Sequence, residues 1–255
     1  MATRLGGLLS QKCYNIFFED FNFFDLECLK AVISKALGWG IVAGALGVQV
    51  PQIVKIVRAG SVEGVPPLSF LLQVIGYSIS LVYNYRGGFP FSTYGENVFL
   101  LAQALILLVL VLWYRKQKEL ALLSIAGFGG LSAVLLSSEL MPQSRLALFQ
   151  MGTIPLFSIS RIPQIYSNYK VDRLHHVCQN KSTGQLAFAT FFLNFLGGVA
   201  RSFTIIQEVK DIAGRARAPN VYAALAPVVV GTILNGVILS QFFLYGKKSE
   251  KVKAS

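Results

Sequence analysis

The chain has 255 residues, of which 54% are apolar and only 14% charged, where an ordinary soluble domain carries about 25% charged residues. Its mean hydropathy of +0.57 leaves too little polar side chain to cover a water-facing globule, which excludes an ordinary soluble fold. The 23 Lys and Arg against 12 Asp and Glu, a net charge of +11, would raise nucleic-acid binding in a soluble protein. Here the basic residues fall in short clusters between apolar blocks, so they read as topology signals and the expected partner is a lipid bilayer, not nucleic acid.

Residues 1–35 are aromatic-rich (Ile16, Phe17, Phe18, Phe21, Phe23, Phe24) but punctured by Glu19, Asp20, Asp25 and Glu27, the pattern of an interfacial amphipathic segment. The first ten residues lack the apolar run of a cleavable signal peptide. Cys13 and Cys28 could bridge in an oxidising compartment or stay reduced, and Cys178 is left over.

Seven spans are predicted next, at 36–57, 68–85, 96–114, 119–138, 145–166, 184–206 and 221–245, with a basic tail over 246–255. Each apolar block is about as long as a helix needs to cross a hydrocarbon core roughly 30 Å thick. Alternate loops carry nine Lys and Arg on the N-terminal side and twelve on the other, which predicts a lumenal N-terminus and a cytosolic C-terminus. On that topology the sequon Asn180-Lys181-Ser182 is cytosolic and unused.

Span one contains Val50-Pro51-Gln52-Ile53 and span five contains Ile162-Pro163-Gln164-Ile165, 112 residues apart. A three-helix unit is odd, so two copies joined directly would point opposite ways, and a linker helix restores a common direction. The expected fold is therefore an all-α membrane protein of seven transmembrane helices in a 3+1+3 parallel repeat: repeat one over 36–114, linker helix 119–138, repeat two over 145–245. A proline within a span frees the carbonyl four residues earlier, here Gly47 or Ile159, and a neighbouring Gln amide can satisfy it. Pro51, Gln52, Pro163 and Gln164 are thus kinks, read either as helix shape alone or as hinges.

These residues resemble the PQ-loop family, whose SWEET-like members use parallel repeats. More specific are Phe89-Pro90-Phe91-Ser92-Thr93-Tyr94-Gly95-Glu96 and Gly197-Gly198-Val199-Ala200-Arg201-Ser202-Phe203-Thr204 continuing to Gln207-Glu208. They are similar to a branch of that family found in the endoplasmic reticulum and needed for use of dolichol-phosphate mannose and glucose, by moving the lipid-linked sugar or presenting it to lumenal glycosyltransferases. The resemblance covers most of residues 36–245; Pro66-Pro67-Leu68 departs from it, where Leu-Ser is expected. Lys251 and Lys253 look like a K-x-K-x-x retrieval signal, with a plain basic tail as the alternative.

Charges inside spans are rare and face a cavity or a partner. Arg161 and Arg201 are candidates for the phosphate of a lipid-linked sugar, because a guanidinium matches phosphate geometry. The plainer reading pairs Arg201 with Glu96 and lets Arg161 snorkel to headgroups. Gln73, Gln103, Asn194 and Asn235 either bridge helices or meet sugar hydroxyls, with Gln103 and Asn235 the better sugar candidates. Gly40 and Gly44 form a GxxxG expected to make a tight helix contact. His175-His176-Val177-Cys178 lacks metal-ligand spacing, and no nucleophile, acid–base pair or phosphate-cradling loop stands out, so neither catalysis nor a cofactor or metal is expected. The alternatives to lipid-linked sugar handling are a facilitative carrier of free sugar or another small solute, and a trafficking receptor on the same plan.

Overall fold

The computed structural model describes residues 3–4, 9–62, 65–159, 181–212 and 221–253, with side-chain surroundings given for 12–62, 65–155, 192–208 and 222–240. Two short strands, β1 (Thr3–Arg4) and β2 (Leu9–Ser10), pair antiparallel ahead of α1 (Gln11–Phe18). Cys13 and Cys28 are bridged, which ties α1 to the start of α2 (Leu26–Ala45). Around them Phe18, Phe21, Phe23 and Phe24 are exposed, as an interfacial segment requires.

α2 starts well before residue 36, where the span was expected. The cause is local: Asp25 is an N-cap whose carboxylate accepts from Cys28 N at 2.9 Å, satisfying a donor that helix geometry leaves orphaned. The span then breaks. α2 ends at Ala45 and α3 (Val50–Ala59) begins anew with Pro51 in its first turn, where a proline's missing N–H costs nothing. Gly60 closes α3 in the left-handed region, φ 57°, which a glycine adopts without strain.

α4 (Pro67–Arg86) opens on Pro66 as N-cap and Pro67 in the first turn, so the departure noted at Pro66-Pro67 is compatible with helix initiation. It is followed by α5 (Phe91–Tyr114), α6 (Lys118–Leu136), α7 (Gln143–Ile159), α8 (Lys181–Ile212) and α9 (Val221–Lys253). Arg86 pins the end of α4 to the α6–α7 connection, donating from Nη1 to Leu135 O at 2.9 Å and Met141 O at 2.6 Å.

Among the described residues, five segments are long and apolar enough to cross a membrane: Leu26–Ala59, Pro67–Arg86, Phe91–Tyr114, Lys118–Leu136 and Tyr222–Ser240. The membrane bundle of this protein is all helical. Its contacts follow a regular scheme. α4 packs on α5 as α8 packs on α9, α2 touches α5 as α7 touches α9, and α2 meets α8 as α7 meets α4, while among the described residues the substantial contacts of α6 are with α4 and α5. Ala104, Leu107 and Val111 of α5 are fully buried beside Ile56, Phe70 and Val74. Exposed Leu120, Leu122, Leu123 and Ile125 on α6 form a face suited to lipid.

Close helix approach occurs at a different glycine from the one expected. Gly40 and Gly44 have open space where a Cβ would stand. At Gly38 a Cβ would lie 2.7 Å from Ser92 O, so the small-residue contact between α2 and α5 is made one helical turn or less before the GxxxG.

Candidate functional site

α5 carries two buried polar clusters. The first surrounds the break between α2 and α3. Gln103 donates from Nε2 to Ala45 O at 2.7 Å and Leu46 O at 3.3 Å, and its Oε1 accepts from Gln49 N at 2.8 Å. Gln49 Nε2 donates to Gln73 Oε1 on α4 at 3.0 Å, and the Gly47 carbonyl accepts from Val50 N at 3.3 Å. Backbone freed inside a membrane must be satisfied by protein, and one glutamine from a neighbouring helix serves both sides of this gap. The expectation that the Gln beside the proline does so is corrected: Gln52 is exposed and takes part in none of these bonds. Pro51, also exposed, marks where α3 starts and does not bend a continuous helix. Gln103 and Gln73 are helix bridges, and Gln103 leaves the sugar candidates because its amide is committed to backbone.

The second cluster lies nearer the start of α5. Arg201 of α8, buried, places Nη2 2.5 Å from Glu96 Oε2 in a close ion pair. Arg201 Nη1 donates to Ser92 O at 2.8 Å, and Ser92 Oγ donates to Glu208 Oε1 at 3.3 Å. The plainer expectation for Arg201 therefore holds: it is neutralised by Glu96 and locks α8 to α5. A phosphate at Arg201 would first have to displace that carboxylate.

Arg201 and Glu96 also form one wall of a polar cavity of about 200 Å³ between α4, α5, α7, α8 and α9, lined further by Ser80, Asn97, Gln150 and Thr153. Two amides converge on one hydroxyl there: Gln150 Nε2 donates to Ser80 Oγ at 3.3 Å and Asn97 Nδ2 at 3.5 Å. Thr93 Oγ1 and Gln150 Oε1, both on the lining, are buried without a partner. This is a sugar-like environment, in which hydroxyls would find both donors and acceptors. The volume lies below the about 300 Å³ at which small-molecule pockets begin, so the cavity must widen to hold a hexose.

Of the other candidates, Asn194 is exposed, away from the cavity, and is dropped as a cavity residue. Asn235 is buried with Oδ1 unpartnered, although it does not line this cavity. Arg161, Pro163 and Gln164 lie outside the described residues, as does the sequon's Asn180; the α9 backbone is helical through Lys251 and Lys253. Sequence reasoning overlooked Ser80, Asn97, Gln150 and Thr153. Their only signal was a polar residue in an apolar block, which gains meaning once α4, α5 and α7 are seen to face one another. Ser92 and Glu208 were in the two specific runs but had no assigned role.

A family model described as the PQ loop repeat matches residues 33–93 and 174–213. The first stretch takes in Pro51-Gln52 and reaches Ser92; the second begins beyond Pro163-Gln164 and includes Arg201 and Glu208. No solved structure matches the chain. The apolar helices make this a multi-pass membrane protein, and two stretches of it are similar to the PQ loop repeat.

Proposed function

We propose that this chain is an endoplasmic-reticulum protein of the mannose-P-dolichol utilization defect 1 type, which supports the use of dolichol-phosphate mannose and glucose without catalysing a reaction itself. The observation that carries this reading is the convergence of the two runs most specific to that group. Ser92 and Glu96 of the first meet Arg201 and Glu208 of the second across more than a hundred residues of sequence, in one buried cluster on the wall of a polar cavity. Buried charge in a membrane is costly, so two separated runs that jointly neutralise it form a single unit.

The seven-span, 3+1+3 plan belongs to the same reading. It is supported by the matched contacts of α2, α4 and α5 with those of α7, α8 and α9, and by the peripheral position of α6. A lumenal N-terminus is supported by the Cys13–Cys28 bridge, since disulfides persist in oxidising compartments, and by the Lys and Arg distribution. Lys251 and Lys253 then lie on the cytosolic side, as retrieval requires. Sugar hydroxyls would meet Ser80, Asn97 and Gln150, and the Arg201–Glu96 pair would hold the cavity closed at one side.

The test is complementation of cells lacking the dolichol-sugar utilisation factor, scored by the length of the lipid-linked glycan precursor. Rescue by the wild-type chain, reduced by Ser80→Ala together with Gln150→Leu at equal protein level, is the expected result. No rescue by well-expressed protein overturns the reading. The cavity itself favours a second reading, a facilitative carrier of free sugar. Uptake of labelled mannose or glucose into proteoliposomes, with no rescue of precursor length, would select it.

A further inference from the structure

A cleft of about 410 Å³ opens between the end of α4, the start of α5 and the end of α6. It lies across the α4–α5 pair from the polar cavity: Leu81, Tyr94 and Val98 line the cleft, while their chain neighbours Ser80, Thr93 and Asn97 line the cavity. We propose that the cleft holds one acyl chain of an anionic glycerophospholipid, with Arg86 at its mouth receiving the phosphate. The site does not depend on the sugar-lipid reading, because the two linings share no residue.

The dimensions fit a chain in one leaflet. From Phe91 to Leu101 the lining runs about 15 Å along α5 at the helical rise, half of a hydrocarbon core roughly 30 Å thick. Its mouth lies where α4 and α6 end and α5 begins, at the edge of three apolar spans. Leu101 and Phe128 line the deep end.

Hydroxyls occupy the outer part. Tyr94 is 9% exposed, lines the cleft, and bonds its hydroxyl to none of the described residues. Phe91 packs edge-on against its ring, with centroids 5.7 Å apart. Serines inside helices usually return their hydroxyl to the carbonyl one turn back, and Ser78, Ser124 and Ser202 do so. Ser132, also on the lining, makes no such bond among the described residues. A buried donor left unmade is penalised, and an acyl ester carbonyl, just below the phosphate of a glycerolipid, would accept from either hydroxyl.

Charge places the phosphate. Arg86 ends α4 beside Tyr85, which lines the cleft, and donates to the carbonyl of Leu135, beside Leu136 of the lining. Both of its hydrogen bonds leave from Nη1 and end on carbonyls, and among the described residues it forms no ion pair. Nη2 and Nε thus remain for an anion, and a guanidinium matches phosphate geometry.

Full-length protein in maltoside micelles can be titrated with dioctanoyl phosphatidic acid. Dioctanoylglycerol keeps the esters without the phosphate, and farnesyl phosphate keeps a phosphate and an apolar chain without an ester. Phosphatidic acid should bind about tenfold or more tighter than dioctanoylglycerol and several-fold tighter than farnesyl phosphate. Tyr94→Phe/Ser132→Ala should weaken its binding several-fold without lowering the ligand-free Tm, since neither hydroxyl has a partner to lose. Arg86→Gln should weaken it about tenfold, and Val98→Trp, which fills the cleft, should abolish it. A phosphatidic acid carrying a diazirine at the end of its acyl chain should label α5 near Leu101 or α6 near Phe128. Should Arg86→Gln or Val98→Trp fail to fold, the hydroxyl double variant and the label carry the test. No binding of phosphatidic acid, equal binding by the hydroxyl double variant and wild type, equal binding of either control compound, or labelling confined to other helices would overturn the proposal.

Discussion

Gln103 and Glu96 stand on one face of the bundle's central helix about two turns apart, and each gathers a buried polar cluster of a different kind. The glutamine cluster is uncharged and spends its side-chain amide on backbone carbonyls and an N–H exposed by the gap between α2 and α3. The charged cluster joins side chains of two helices and borders a cavity with unpaired hydroxyl and amide groups. A membrane interior makes both necessary, since no water is present to satisfy either. The difference is that one cluster repairs the fold, while the other also faces space that a ligand could occupy.

Three sets of substitutions would break or sharpen this contrast. The largest effect is expected where a charge loses its partner. Glu96→Gln or Arg201→Gln alone should destabilise the protein by about 3–5 kcal/mol, because a buried charge is left uncompensated. The double variant Glu96→Gln/Arg201→Gln should recover most of that loss in unfolding measurements in micelles. Rescue of glycan-precursor length by the stable double variant would reduce the charged pair to a structural role; a stable but inactive double variant would tie the charges to function.

Next comes the glutamine cluster. Gln103→Leu leaves Ala45 O, Leu46 O and Gln49 N without their partner and should cost about 2 kcal/mol, with faster labelling of a cysteine placed at Val48. Activity per folded molecule should not change. Gln52→Leu, at an exposed position, should stay within about 0.5 kcal/mol of wild type. A larger loss at Gln52 than at Gln103 would reverse the assignment of which glutamine mends the break.

The smallest effect separates the clusters sterically. Gly38→Ala pushes a methyl group toward Ser92 O, the acceptor of Arg201, and should lower stability by about 1 kcal/mol while loosening the charged cluster only. Gly40→Ala and Gly44→Ala enter open space and should be close to neutral. Equal melting temperatures for all three would remove the α2–α5 contact from the description.

Much of the helical frame was legible in the sequence. The predicted spans 68–85 and 119–138 correspond to α4 (Pro67–Arg86) and α6 (Lys118–Leu136), because an apolar block bounded by Pro, Gly or basic residues has few other places to begin or end. The third span was placed late: α5 starts at Phe91, just after Pro90, and includes the polar turn that carries Ser92 and Glu96. The start of α2 was missed for a related reason. Asp25 and Glu27 were read as acidic punctures of an interfacial segment, whereas Asp25 is the cap that launches the helix.

Partnerships were less legible. The sequence offered two candidate partners for Arg201, a phosphate and Glu96, and four uncharged polar residues with two roles each. Their separation in the chain held no information about which would meet. Sequence alone determined that this protein lives in a bilayer and that its spans are helical, because hydrophobic length and backbone stereochemistry are local properties; that the first span breaks before Pro51 instead of kinking at it came from the structure. Only the tertiary structure decided that Gln103 closes the interruption, that Glu96 takes Arg201, that Gly38 and not Gly40 meets α5, and that Tyr94 is left with an unspent hydroxyl. Each of those outcomes depends on which helix faces which, and in a medium without water every buried polar group is completed, or left incomplete, by the helix opposite.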